Sequence, residues 1–149
     1  MTAPKVITLR LRSPAAIAVC EMLDRAPGKS MADLKNALPK TWSSPTMSPH
    51  CADEVKYGVV DSVVKHFEAM QKNGEKVAGQ KIRDLVTVNG VRVTVEDGSW
   101  GLVRASSNKP ELVVVCESPV SEAAMRAVFA ALDAHLATYP EVGAYNQKI

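Results

Sequence analysis

No apolar run in this chain approaches the roughly 20 residues needed to cross a bilayer, and its opening, MTAPKVITLRLRSP, has no signal-peptide core. A cytoplasmic protein with no membrane partner is expected. Charge of one sign is also lacking: 18 Lys and Arg against 16 Asp and Glu leave a formal net charge of +2, too little to imply nucleic acid as a partner. Aromatic residues make up only 5% of the chain and do not interleave with basic clusters, so the stacking surface that single strands need is missing as well. Cysteine is confined to Cys20, Cys51 and Cys116, an odd number at wide spacing. That pattern predicts reduced thiols and assembles no zinc site. His50, His66 and His135 are scattered, with no partner pattern for metal binding or acid–base work. His66 and His135 are expected at the boundary of helices, or facing solvent.

What is present suits one domain, or one domain with an appendage, at 149 residues and 46% hydrophobic content. Ser13-Pro14 reads as an N-cap with proline at the first helical position, opening a helix to Arg25. Ser30 caps a second, short helix from Met31 to Leu38, stopped by Pro39. Lys40 to Pro49, KTWSSPTMSP, reads as a hinge running into an extended segment. Val55, Val59, Val63, Phe67 and Met70 recur at helical spacing within a third helix from Ala52 to Asn73, which Asn73-Gly74 ends. Asp53, Glu54 and Asp61 are read as solvated charges on it.

The period then changes from helical to two. Leu85, Val86 and Val88 lead to Asn89-Gly90, a preferred two-residue hairpin turn, and Val91, Val93 and Val95 alternate with Arg92, Thr94 and Glu96. Asp97-Gly98 turns the chain into a strand from Trp100 to Arg104, and a further strand covers Leu112 to Glu117. A last helix runs from the Ser121 N-cap to Thr138, and the tail PEVGAYNQKI is expected to be irregular. The fold class is α+β: an antiparallel sheet of about four strands with two helices on one face, preceded by a short helical segment.

Between the last two strands lies a loop without an acid. Arg104, Ser106, Ser107, Asn108 and Lys109 place two cations, two hydroxyls and a carboxamide within six residues. Arg104 offers a planar fork that matches two oxygens of a phosphate. The hydroxyls, the carboxamide and backbone amides in a tight loop can add further donors. On spacing alone, a plain polar hairpin loop with Arg104 in a surface ion pair fits equally well, and Lys109 fits a solvated loop lysine. Trp100 is read as a packing residue that fixes the base of the loop.

The run NGVRVTVEDGSWGLVRASSNKPELVVVCES resembles the C-terminal domain of the α-D-phosphohexomutases, the phosphomannomutase/phosphoglucomutase group. Gly90-Val91-Arg92-Val93, Trp100-Gly101-Leu102-Val103-Arg104-Ala105-Ser106 and Pro110 fall in register with that family's pattern, as does Ala37-Leu38-Pro39 upstream. Ser107-Asn108-Lys109 stand where the usual pattern has Asn-Thr-Glu, which makes the loop more cationic. The S-S-N-K-P form and the tail from Gly143 to Gln147 are similar to a bacterial subgroup. Residues 2–12 match nothing in the pattern.

The resemblance implies a TATA-box-binding-protein-like domain over residues 46–149 that binds phosphosugar, a hinge at 40–45, and at 1–39 a helical remnant of a preceding domain. For the parent enzyme it implies interconversion of hexose 1-phosphate and hexose 6-phosphate through a bisphosphorylated sugar, with Mg²⁺ bound elsewhere. The family's T-A-S-H-N-P serine loop, D-G-D-G-D-R magnesium loop and G-E-x-S-G-H sugar loop do not occur here, and Ser48-Pro49-His50 has only a superficial likeness to the first. The resemblance therefore implies a piece with no catalytic residue and no cofactor of its own. Its expected partners are a phosphosugar or inorganic phosphate, the N-terminal domains of the parent, and a second copy of itself through apolar surface at Ile17 to Leu38. The rival expectation is a stand-alone interaction or dimerisation module with no sugar ligand.

Overall fold

The computed structural model describes residues 14–149, so the Ser13 N-cap lies outside the described residues. The chain divides into two compact units between Pro39 and Lys40. In the first unit, α1 (Pro14–Asp24) and α2 (Met31–Asn36) bury no residue. Ser30 closes a reciprocal capping box with Asp33 at the start of α2, as its position predicts. Met22, Met31, Leu34 and Leu38 line an apolar groove on this unit.

The second unit carries a six-stranded antiparallel sheet in the order β1-β6-β5-β4-β3-β2. Its strands are β1 (Trp42–Ser43), β2 (Lys76–Val77), β3 (Gln80–Val86), β4 (Val91–Val95), β5 (Trp100–Ala105) and β6 (Leu112–Ser118). The α+β class and the antiparallel sheet stand as expected, with two more strands than the periodicity indicated. β1 and β2 are the additions, and each holds two residues, too few to show alternation. The β2–β3 turn places Ala78 and Gly79 at positive φ, the geometry that matches the twist of paired strands. Residues 40–45, expected as a hinge, contain β1, which pairs with β6 through Trp42↔Ser118 and Ser43↔Glu117.

α3 (Lys56–Asn73) and α4 (Glu122–Leu136) cover one face of the sheet. The period-two strands need such a cover: Val91, Val93 and Val103 point at the helices and are fully buried. Opposite them α3 supplies Val59, Val63 and Phe67, and α4 supplies Val128, Leu132 and Leu136. α3 starts later than expected, so Val55 is its N-cap and is 38% exposed rather than part of the core stripe. Gly74 ends the helix in the left-handed conformation. Ser121 caps α4 by accepting from the Ala124 amide.

One local expectation changes, and the irregular tail proves to be tied to the domain. Val86 pairs with Arg92, so the β3–β4 connection spans 87–90 rather than the two residues Asn89-Gly90, and Val88 stands 93% exposed within it. The tail is not free-standing. Gly143 N–H donates to the His50 carbonyl at 2.8 Å, His50 N–H to Ala144 at 3.0 Å, and Asn146 N–H to Ser48 at 3.0 Å. Among the described residues no helix is long and apolar enough to cross a membrane.

Candidate anion-binding site

Strand alternation decides where Arg104 goes. Gly101, Val103 and Ala105 of β5 are buried against the helices, while Trp100, Leu102 and Arg104 are half-buried on the other face. Beyond Ala105, the Ser106 amide donates to the Glu111 carbonyl at 3.0 Å. This bond closes the base of an excursion in which Ser107, Asn108, Lys109 and Pro110 are all exposed. Ser106 is buried. The five site residues expected from the sequence thus sit together, at the end of β5 and in the loop that follows it.

The hydrogen bonds of the loop fall into two groups. Two of its carbonyls are engaged from behind, while those of Ser106, Ser107 and Asn108 make no hydrogen bond among the described residues. The Lys109 carbonyl accepts from the Lys56 ammonium at 3.0 Å and from the Glu111 amide at 2.8 Å, and the Pro110 carbonyl accepts from the Cys51 amide at 2.9 Å. Its donors are uncommitted. Among the described residues, the amides of Ser107, Asn108 and Lys109, the hydroxyls of Ser106 and Ser107, and the Asn108 carboxamide make no hydrogen bond. Arg104 donates only to the carbonyl of Ala105, at 3.1 Å, and no carboxylate among the described residues lies within ion-pair distance of it. The surface ion pair that a plain polar hairpin would offer Arg104 is therefore not found. Chemically, such a loop is a cluster of cationic and neutral donors, the groups an oxyanion requires, with the Lys109 and Pro110 carbonyls drawn away from them.

Gly90 sets the position of Arg104. Its φ is +88°, and a Cβ there would overlap the Val103 carbonyl oxygen and lie 2.8 Å from Cα of Arg104, so only glycine lets β4 and β5 approach this closely. Trp100 does not fix the base of the loop. It begins β5, opposite Thr94 and Glu117, roughly 13 Å along the strand from Arg104 at the usual rise per residue. There the Arg92 guanidinium stacks over its ring at 4.5 Å.

Lys56 was not singled out in the sequence, although its spacing marks it: it precedes the buried Val59 and Val60 by three and four residues. Its side chain is 3% exposed and pairs with Asp53, which is 61% exposed. Asp53 thus precedes α3 rather than lying on it, and is a counter-ion as well as a solvated charge.

Burial pushes the Cys116 thiol up to about 12 and raises that of Cys51 too, with Glu141 adding to the latter. His66 and His135 are half-buried boundary residues with rings stacked at 3.6 Å. Among the described residues no three His, Cys, Asp or Glu side chains converge as a metal site would require, so this donor set does not fit a Mg²⁺ site and no step through a metal is derived on it. Ser48-Pro49-His50 lies in an extended segment, with the Ser48 amide bonded to the Asn146 side chain at 2.7 Å.

Residues 51–135 match the family model for the phosphoglucomutase/phosphomannomutase C-terminal domain. Among curated relatives, a phosphopentomutase of Thermococcus kodakarensis is 32% identical over 72 residues, 48% of this chain and 14% of that protein. A phosphomannomutase/phosphoglucomutase of Pseudomonas putida is 32% identical over 90 residues, 60% of this chain and 17% of that protein. Its counterpart in Pseudomonas syringae pv. tomato is 31% identical over 104 residues, 70% and 20% respectively. The crystal structure of a phosphoglucomutase/phosphomannomutase family protein from Burkholderia thailandensis superposes with a TM-score of 0.53 at 26% identity, over 74% of this chain and 20% of that one. The chain therefore spans a fifth or less of each relative it matches.

Proposed function

The chain belongs to the phosphoglucomutase/phosphomannomutase family, through its C-terminal domain, and from that premise we propose that residues 46–149 hold the phosphate of a sugar phosphate on Arg104, Ser106, Ser107, Asn108 and Lys109. The observation that carries this reading is the set of uncommitted donors gathered in one loop around an Arg104 that has no carboxylate partner among the described residues. A sugar phosphate carries about −1.5 to −2 charges and three acceptor oxygens, which match a cationic fork, two hydroxyls and a carboxamide. The relatives' names support assigning the phosphate rather than the sugar to this loop. They include a phosphopentomutase beside phosphomannomutase/phosphoglucomutases, and the phosphate is what pentose and hexose phosphates share.

In a complete enzyme the reaction is the interconversion of hexose 1-phosphate and hexose 6-phosphate through a bisphosphorylated sugar. The part of this domain is positioning: it holds the phosphate that is not reacting, and that remote binding serves the reacting centre on other domains. With β1 paired into the sheet, the boundary between Pro39 and Lys40 is the place where the domain swings over substrate.

Charge-assisted hydrogen bonds contribute about 1.5–3 kcal/mol each, against an association cost of about 4–15 kcal/mol. Inorganic phosphate should accordingly bind the isolated chain only weakly, with a Kd of about 1 mM. The test is an NMR titration of the 149-residue chain with phosphate. Saturable shifts confined to residues 104–109, lost in Arg104→Ala, support the reading; an unmoved loop overturns it. In a complete enzyme carrying this domain, Arg104→Ala should lower kcat/KM by about ten- to a hundredfold without unfolding the protein.

A second reading, self-association, rests on the exposed Ile17, Met22, Met31 and Leu38 of the N-terminal unit. It predicts shifts on dilution at those residues and none at the loop.

A further inference from the structure

We infer that Lys56 is the positioning residue of the anion loop: its buried ammonium holds the Lys109 carbonyl inside the domain and so keeps that acceptor away from the uncommitted donors of the loop. The inference rests on the phosphate-binding reading and adds to it a residue outside the loop, 53 positions away in sequence.

The chemistry is unusual for a lysine. Side chains of this type keep their ammonium in water, and a fully buried one must be paired and hydrogen-bonded. Here the Lys56 side chain is 3% exposed, with one bond to Asp53 and one to the Lys109 carbonyl. The ring of Tyr57 lies 5.2 Å from the ammonium. Asp53 neutralises the charge locally, so attraction of an anion over distance is not what the ammonium supplies. What it supplies is geometry. The Lys109 carbonyl is the last acceptor before Pro110, whose own nitrogen has no proton to donate. If this carbonyl turned outward, it would set a partial negative charge beside the amides of Ser107, Asn108 and Lys109. The lysine prevents that together with the Glu111 amide, which bonds the same carbonyl at 2.8 Å, and the Cys51 amide holds the adjacent Pro110 carbonyl in the same way, at 2.9 Å.

The two residues on either side of this contact have different roles. Lys109 offers its side chain to the ligand and its carbonyl to Lys56. Asp53 keeps the buried cation neutralised and makes no contact with the loop among the described residues.

The experiment uses the 149-residue chain and inorganic phosphate. Lys56→Met keeps the length of the apolar stem and removes the donor. The expected result is phosphate binding weaker by at least about tenfold, together with a change in the Lys109 carbonyl ¹³C shift and faster hydrogen exchange at the Glu111 and Cys51 amides, while the core amides of β5 and β6 keep their shifts. Lys56→Arg, which restores a donor, should recover part of the affinity. Lys56→Met binding phosphate as tightly as the parent chain would overturn the inference. A second measurement needs no variant: buried and hydrogen-bonded, the Lys56 ammonium should exchange slowly enough for ¹⁵N NMR, and its resonance should move as phosphate saturates the loop. A resonance that stays fixed while residues 104–109 shift also overturns it. Should the parent chain bind no phosphate at all, the failure lies with the proposed function; Lys56 fails only if the loop binds without it.

Discussion

A methyl group added at Gly90 would meet backbone atoms of Val103 and Arg104, which move only if β5 moves, and it would sit on a residue whose φ is +88°. One added at Gly101 would meet side-chain carbons instead, overlapping Cδ1 of Leu132 and standing 3.0 Å from Cγ1 of Val128 on α4. The two alanine variants should therefore separate. Gly101→Ala forces α4 side chains to yield and should cost about 1–3 kcal/mol, read as a lower urea midpoint, with phosphate binding intact in the folded fraction. Gly90→Ala should cost at least as much and also weaken phosphate binding, because the displaced atom is Cα of Arg104. Cysteine gives a second check at this scale. Cys20 is exposed, whereas Cys51 and Cys116 are buried and burial raises both their thiols. A thiol reagent at pH 8 should accordingly modify Cys20 alone in the native protein and all three cysteines in denaturant.

The α3–α4 pair is where pH should be felt. His66 of α3 and His135 of α4 stack at 3.6 Å, Phe67 meets the edge of His135, and the Tyr139 hydroxyl lies 3.2 Å from His135 Nε2. Burial, and then the neighbouring His66, hold the His135 pKa below its ordinary value. The unfolded chain thus takes up a proton at a higher pH than the folded one. The contribution to stability is complete above the ordinary imidazole pKa of about 6.5 and is lost as pH falls through the depressed value. Thermal unfolding followed from pH 8 to pH 5 should show a falling Tm in that window, and His135→Phe should reduce the dependence relative to the parent. Legibility at this scale followed length. α3 and α4 repeat their apolar spacing several times and were readable, whereas β1 and β2 have two residues each and carry no period. The two histidines were readable as boundary residues, but their stacking required both helices to lie on the same face of the sheet.

For the whole molecule, the segment 46–50 and the tail act together. Met47 pairs with Val114 of β6, while the Ser48 and His50 carbonyls accept from Asn146 and Gly143 of the tail. Gln147 adds a side-chain bond to the Thr46 carbonyl at 2.9 Å, and Tyr145 packs its ring on Phe129 of α4 at 6.0 Å. Removing 143–149 would strip these bonds and uncover Phe129, at a cost of about 3–5 kcal/mol by analogy with deleting a large buried aromatic. Denaturant unfolding of the truncated chain measures it. The first hydrogen-exchange protection lost should be that of Ser48 and His50.

The sequence by itself determined the class of the fold, the two long helices and the loop chemistry, because each is written in neighbouring residues. Val91, Val93 and Val95 state a period of two, Ser30 and Ser121 state helix starts, and Arg104 to Lys109 state a cluster of donors without an acid. It also carried the motif by which the family is recognised. The sequence left open whether those donors were free, since a hydrogen bond is committed by whatever folds beside it. Lys56 reaches the Lys109 carbonyl across 53 positions, and Asn146 reaches Ser48 across 98. Only the tertiary structure brought those partners together. In doing so it held the Lys109 and Pro110 carbonyls of the loop from within, left its donors uncommitted, and set a buried lysine beneath them.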